Sequence, residues 1–531
     1  MANQPQQSAQ VDTGKVFQVT VKPGIQRDGT SIDTSRYNDG EWVRFSREAG
    51  RPRKMGGMRN LAALAQGPIR GIATWSRAGI NQVFLFSDHQ YVQQINLDIN
   101  GTGSAVQRRE YTGISLKHTE DYVWQCDVMY DSAVGSDASL LIVHPGRNLI
   151  NIDNSTTTWA YYAYLNANDD PASGIDPSFH ALYDEFDYGK VSGGLVALSP
   201  FLVLYGSDGY VAWSNENEPR NFITGSAGRA RITGSKIVKA LPLRGGSNSP
   251  AALLWSLDSV FRMYYIGGTA IFKFDPLSSQ SSVLSSSGIV EYDGKYYWAG
   301  VDRFLMYDGT VKELPNTTNQ DFFFDGLNWA QRQKIWVSKV TRFGEIWWFF
   351  PKGEATECNH AIIYNVRLNC WYDTPIERTC GVSPQVYNHP IWVENVDNTV
   401  PKIWVHEEGW DKIDGETVTA IPSFFETCDF GFPTGSVSNE STIGVNRWTR
   451  IMRVEPDFRL TGPMTMQVVG QEFAQTPVKE STSFTFDATT GKIDAREQRR
   501  EIRLRFSSNA LGGTYDSGKI LIHLDVGDVR S

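Results

Sequence analysis

The sequence predicts an all-β protein: a β-propeller of six or seven blades, with a β-sandwich-like domain built from the C-terminal region and the N-terminal segment. Three observations predict it. Aromatic residues make up 12% of the 531 residues and glycine contributes 48, a bias toward strands and tight turns over helices. Short, continuously apolar runs recur in pairs across turn residues through the middle of the chain. The C-terminal stretch instead alternates apolar with charged residues.

Residues 1–15 are polar and Gln-rich, and they are expected to be disordered. They hold no apolar signal core. No apolar run reaches the roughly 18 residues that would suggest a membrane helix, so no stable membrane insertion is expected. Residues 16–66 form an N-terminal β segment. There Asn38-Asp39-Gly40 reads as a turn, and Glu41-Trp42-Val43-Arg44-Phe45 alternates like a half-buried strand.

Residues 67–415 carry the propeller pattern. Phe201-Leu202-Val203-Leu204-Tyr205 turns at Ser207-Asp208-Gly209 into Tyr210-Val211-Ala212-Trp213. Tyr296-Tyr297-Trp298 pairs in the same way with Phe304-Leu305-Met306-Tyr307, and Ile346-Trp347-Trp348-Phe349-Phe350 with Ile362-Ile363-Tyr364. Four further pairs are Val83-Phe84-Leu85-Phe86 with Tyr91-Val92, Leu140-Leu141-Ile142-Val143 with Leu149-Ile150, Leu253-Leu254-Trp255 with Phe261-Arg262-Met263-Tyr264-Tyr265, and Ile391-Trp392-Val393 with Ile403-Trp404-Val405. Strands apolar at every position must be covered on both faces. Stacked blades achieve this at a period like that of kelch or WD40 repeats. A set of β-sandwiches is the competing architecture. Residues 151–190, with Trp159 and Tyr161, interrupt the pattern; they read either as a rim loop or as a contact insertion.

Residues 416–531 read as a C-terminal β-sandwich. In Glu501-Ile502-Arg503-Leu504-Arg505-Phe506 the apolar side chains share one face and the charged ones the other, as in an antiparallel strand wet on one side.

No catalytic constellation stands out. Ser207-Asp208-Gly209 is spaced wrongly for a sialidase Asp-box turn. Glu216 and Glu218, two apart in a polar loop, fit a solvated turn better than a glycosidase pair. Asp169-Asp170 are similar loop carboxylates, open also to a cation. The eight histidines form no metal-binding motif, and the Gly-Gly pairs form no phosphate loop. Five scattered cysteines with no CxxC pair indicate neither disulfide nor zinc site. No cofactor is expected. The net charge of −9 argues against tight, sequence-independent DNA binding.

The segment Lys22-Pro23-Gly24-Ile25-Gln26-Arg27-Asp28-Gly29, followed by Trp42-Val43-Arg44-Phe45, Pro52 and Gly56-Gly57, resembles structural proteins of tailed bacteriophages. So do the stretches from Glu345 to Pro351 and from Arg496 to Ile520. The nearest group is the tail hub or nozzle proteins of short-tailed phages, also called DNA-stabilisation proteins. The resemblance implies a propeller with attached β-domains and a ring of six copies below the head-to-tail adaptor or portal. It also implies tail fibre or tail needle partners, genomic DNA passing through the channel, and a place in the virion tail after assembly in the host cytoplasm. A receptor- or glycan-binding propeller and a propeller glycosidase are the other two readings. For a ring, the expected interface residues are Arg496, Arg499, Arg500, Arg503, Arg505, Trp42, Arg44, Trp159 and Tyr161, because arginine and aromatics are enriched where subunits meet.

Overall fold

A computed structural model describes residues 15–30, 34–61, 68–77, 80–87, 92–97, 109–111, 114–115, 124–132, 139–146, 149–151, 157–165, 180–182, 190–244, 250–383, 387–396, 400–430, 448–472 and 476–526. The fold is all-β, with many four-stranded antiparallel sheets. The expectation of disorder for residues 1–15 falls almost entirely outside the described residues. The chain divides into two compact units. One holds Met1–Gly56, Gly409–Lys412 and Val418–Ser531; the other holds Gly57–Glu408 and Ile413–Thr417.

Among the described residues the larger unit contains six four-stranded sheets, each a meander of consecutive or near-consecutive strands. They begin at Ile69–Arg77, Gln125–Tyr130, Gly194–Leu198, Ile237–Pro242, Ile289–Tyr292 and Trp336–Val340. A seventh runs Cys380–Val382, Ile391–Val396, Val400–His406, and then takes Met58–Asn60 as its next strand. Trp404 faces Asn60 and His406 faces Met58 in that pairing. The sequence reading placed Met58–Asn60 with the N-terminal segment and began the propeller at residue 67. That boundary is corrected here, because the hydrogen bonds of these residues go to the seventh sheet.

Apolar clusters join each sheet to the next. Trp75 of the first sheet packs with Leu141 and Val143 of the second. Ile142 packs with Leu202 and Leu204 of the third, and Val203 with Leu254 and Met263 of the fourth. Trp255 meets Trp298 of the fifth, with ring centroids 5.7 Å apart. Phe304 meets Trp348 of the sixth at 5.2 Å. Trp347 meets Trp392 of the seventh at 5.2 Å. Ile69 of the first sheet then enters the cluster of Ile391 and Ile403 in the seventh, so the series returns to its start.

The segment 151–190 is not simply an interruption. Tyr161–Leu165 and His180–Ala181 are the third and fourth strands of the second sheet. Tyr161 and Ala163 point into one core cluster while Tyr162 and Tyr164 pack against the other, which fixes the strand between two neighbours. The pairing expected for Leu149-Ile150 also differs. That strand joins a separate three-stranded sheet with Ile114–Ser115 and Thr157–Thr158. Residues 166–179, with Asp169 and Asp170, lie outside the described residues.

The smaller unit has two six-stranded sheets. One orders Glu497–Arg499, Thr449–Thr461, Thr514–Val526, Pro52–Lys54 and Val43–Phe45, with Lys15–Gln18 also on Thr514–Val526. The other orders Asp39–Glu41, Ser423–Glu426, Glu501–Ser508, Met464–Gln471 and Lys479–Glu480, with Phe484–Phe486 also on Met464–Gln471. Phe458 of the first sheet packs on Phe506 of the second at 5.1 Å, and Phe425 on Tyr515 at 5.7 Å. The Lys54 ammonium, 1% exposed, donates to the Gly513 carbonyl at 2.8 Å.

Candidate functional site

The arginines expected to meet a partner are largely engaged within the smaller unit. On the outer face of Glu501–Ser508, Arg503 Nε lies 3.1 Å from Glu426 and its Nη1 3.5 Å from Asp429. Arg505 lies 3.4 Å from the other Glu426 oxygen and sits over the Phe424 ring at 4.0 Å. Arg499 pairs with Glu497 at 2.9 Å. Antiparallel registry explains the set, since Glu426 stands directly opposite Arg505. Arg496 is exposed and Arg500 half-buried.

Two of the other expected contacts are corrected. Tyr161 is fully buried in the cluster between the first and second sheets, and Arg44 is 2% exposed. Both side chains are covered within the chain itself, so neither offers surface to a second subunit. Trp159 is half-buried and stacks on His144 at 5.8 Å. Trp42 is half-buried with a left-handed φ of 53°, and its carbonyl accepts from Ser423 Oγ at 3.0 Å.

First strands of several sheets carry polar groups that bond to neighbouring sheets. Gln125 Nε2 donates to the Gly193 carbonyl at 2.8 Å, and Tyr205 Oη donates to Gln125 Oε1 at 2.8 Å. Asp127 accepts from the Ala197 amide at 3.0 Å. Lys339 reaches Glu291 at 3.2 Å, and Trp392 Nε1 donates to Ser338 Oγ at 3.1 Å. Arg70 forks onto Glu357 with two 2.7 Å bonds, and Lys334 joins at 3.1 Å. Burial pushes the Glu357 carboxyl up, but the Arg70 and Lys334 partners outweigh it and hold it below the usual range. These inner positions mix both signs of charge and are committed to each other. They join the first strands of neighbouring sheets.

The groups singled out for chemistry have structural roles. Glu218 Oε2 accepts from Asn215 Nδ2 at 2.9 Å and Asn221 Nδ2 at 2.7 Å, so this oxygen closes its own turn. Those bonds hold its carboxyl low. Burial pushes the Cys126 thiol up to about 12 and Cys428 up to about 11, which keeps both protonated and poorly nucleophilic. His360 Nε2 lies 2.9 Å from Asp373, with Phe322 and Phe350 against its ring.

Two buried groups contribute opposite pH dependences, one in each unit. His144 Nε2 donates to the Val191 carbonyl at 2.8 Å, while Nδ1 accepts from the Gly146 amide at 3.0 Å, an arrangement that requires the neutral ring. Burial pulls it down to about 4. Asp429 is pushed up to about 6, first by burial and then by Glu501, against the pull of Arg503. For His144 the unfolded chain binds the extra proton, so the larger unit loses stability as pH falls from about 6.5 toward 4. For Asp429 the folded chain binds it, so the smaller unit gains stability as pH falls through about 6. Each full shift corresponds to about 3 kcal/mol. Hydrogen exchange, corrected for intrinsic rates, should show protection falling at Ser139–His144 and rising at Ser423–Glu426 between pH 6.5 and 5. Parallel changes in the two segments would disprove the assignment.

No family model and no curated protein matches this chain. Among solved structures the chain is similar to BamB from Moraxella catarrhalis at a TM-score of 0.31 and 10% identity, over 67% of this chain and 91% of that one. A likeness this slight carries no argument.

Proposed function

We propose that this chain is a structural protein of a bacteriophage tail, a hub or nozzle subunit that forms a ring of six below the head-to-tail adaptor. In this reading the larger unit is a seven-bladed β-propeller whose last blade is closed by Met58–Asn60, and the smaller unit is a β-sandwich. One observation carries it. The two ends of the chain build a single unit around two six-stranded sheets, and the seven sheets between them return on themselves. That arrangement agrees with the propeller and attached β-domains that the resemblance to tail nozzle proteins implies. The first strands also support a passive role, because Lys339 pairs with Glu291 and Asp127 accepts from the Ala197 amide, so these charges are engaged within the unit.

The ring interface in this reading draws on Arg496, Arg500 and Trp159, which retain exposed surface. DNA passes the ring without being gripped, consistent with the net charge of −9. Native mass measurement and negative-stain imaging of the purified protein, alone and with a portal–adaptor complex, test the proposal. A six-fold ring is expected in the presence of the adaptor. A protein that stays monomeric and unbound there would refute it.

A further inference from the structure

The smaller unit carries an open cleft of about 210 Å³ at the end of its first sheet. Cross-strand registry builds its floor. Arg459 stands opposite Asp516, and Asp516 opposite Arg53, so the three form one row across neighbouring strands. Thr461 and Thr514 face each other in the next row on the same side. Trp410, half-buried, borders the cleft from the Gly409–Lys412 segment.

The chemistry of this row is specific. Two guanidiniums flank one carboxylate, which leaves a net charge of about +1 in the cleft. Arg459 is exposed and makes no ion pair among the described residues. A guanidinium donates in a planar fork that fits a carboxylate bidentately. Asp516 can only accept, so it repels a bare acid and favours a ligand that also brings donors. The threonine hydroxyls both donate and accept. The indole offers apolar area for the C–H face of a ring. The volume is below the ~300–1,000 Å³ of sites for drug-sized ligands, which limits the occupant to one small ring. A carboxylate with neighbouring hydroxyls on a six-membered ring meets every one of these demands. An acidic peptide side chain supplies the carboxylate but no donor for Asp516.

We propose that this cleft binds a sugar acid: a uronate residue of an acidic polysaccharide, with its carboxylate on Arg459 and its ring hydroxyls on Asp516, Thr461 and Thr514. The site stands apart from the ring-forming role and does not depend on it.

The test uses the whole chain and saturation-transfer NMR, with glucuronic acid, glucose and glutarate as separate probes. Glucuronate is expected to bind at about millimolar Kd, the range for one small ligand with few strong contacts. Arg459→Gln and Asp516→Asn should each weaken it roughly tenfold, since each removes one charged partner. Arg459→Gln alters an exposed side chain, so an unchanged melting curve will show that folding is intact. Glucose should bind more weakly and be insensitive to Arg459→Gln. Absence of glucuronate binding, equal binding by the folded Arg459→Gln protein, or glutarate binding as tightly as glucuronate would each overturn the proposal.

Discussion

Replacing Arg378 with alanine is expected to destabilise the seven-sheet unit by about 3–5 kcal/mol, the cost of leaving a buried counter-charge alone. Arg378 is 3% exposed and stands at the seam where the chain's early strand completes the seventh sheet. Its Nε donates to His406 Nε2 at 2.9 Å, and its Nη1 lies 3.5 Å from Glu394. Its Nη2 lies 2.9 Å from Met58 Sδ, on the closing strand itself, and its guanidinium covers the Trp404 ring at 5.4 Å. Burial pulls the guanidinium down to about 10, yet it remains charged at neutral pH. Glu394 also accepts from Trp404 Nε1 at 2.6 Å, so it stays in place when the arginine is removed. The Glu394 charge is then held in the core with one neutral donor. Urea unfolding measures the change through the midpoint at constant slope. The double variant Arg378→Met, Glu394→Gln should recover a large part of the loss, because neutralising both partners removes the stranded charge. A loss below about 1 kcal/mol in the single variant would mean that water reaches the seam.

That seam also shows where sequence reasoning stops. The strands it identified are mostly the second and third of each sheet, such as Phe201–Tyr205 with Tyr210–Trp213 and Glu345–Phe350 with His360–Asn365. Those strands are covered on both faces, so every residue is apolar and the run announces itself. Fourth strands such as Gly228–Arg231 and Val311–Glu313 are half exposed and read as polar loop. First strands such as Ile237–Pro242 carry inward polar groups and lose the pattern in the same way. Met58–Asn60 has a single apolar residue, and its partner strand lies more than three hundred residues away.

The candidate interface was legible as charge and not as geometry. Alternation in Glu501–Ser508 placed Ile502, Leu504 and Phe506 on the buried face, as the structure has them. It could not show that Glu426 and Asp429 lie against Arg503, because that contact depends on which strand sits beside Glu501–Ser508. Charge reversal at Arg503 would therefore first strike the unit's own buried pairs. Arg459, Asp516 and Arg53 were equally invisible as a row. Their alignment comes from a strand order that brings residues from both ends of the chain side by side.

Trp348→Ala is the second variant with a large expected effect, a loss of about 3–5 kcal/mol. Successive residues of Glu345–Phe350 point to opposite faces, and the two tryptophans divide accordingly. Trp348, fully buried, stacks on Trp371 at 5.8 Å and meets Phe304 of the fifth sheet. Its indole Nε1 donates to the Gly288 carbonyl at 3.0 Å, so truncation also leaves that carbonyl without its donor. Trp347 faces the other way, toward Trp392 of the seventh sheet, and donates to Glu345 at 3.0 Å. Alanine at position 348 opens a cavity walled by strands of two sheets, which cannot both move in to fill it. Trp329, which is 41% exposed, is the control: its replacement by alanine should change stability by no more than about 0.5 kcal/mol. Denaturant midpoints for the two variants decide the matter. Similar small changes in both would mean that the strand Glu345–Phe350 is not packed on both faces, and the stacking of the fifth, sixth and seventh sheets would fall with it.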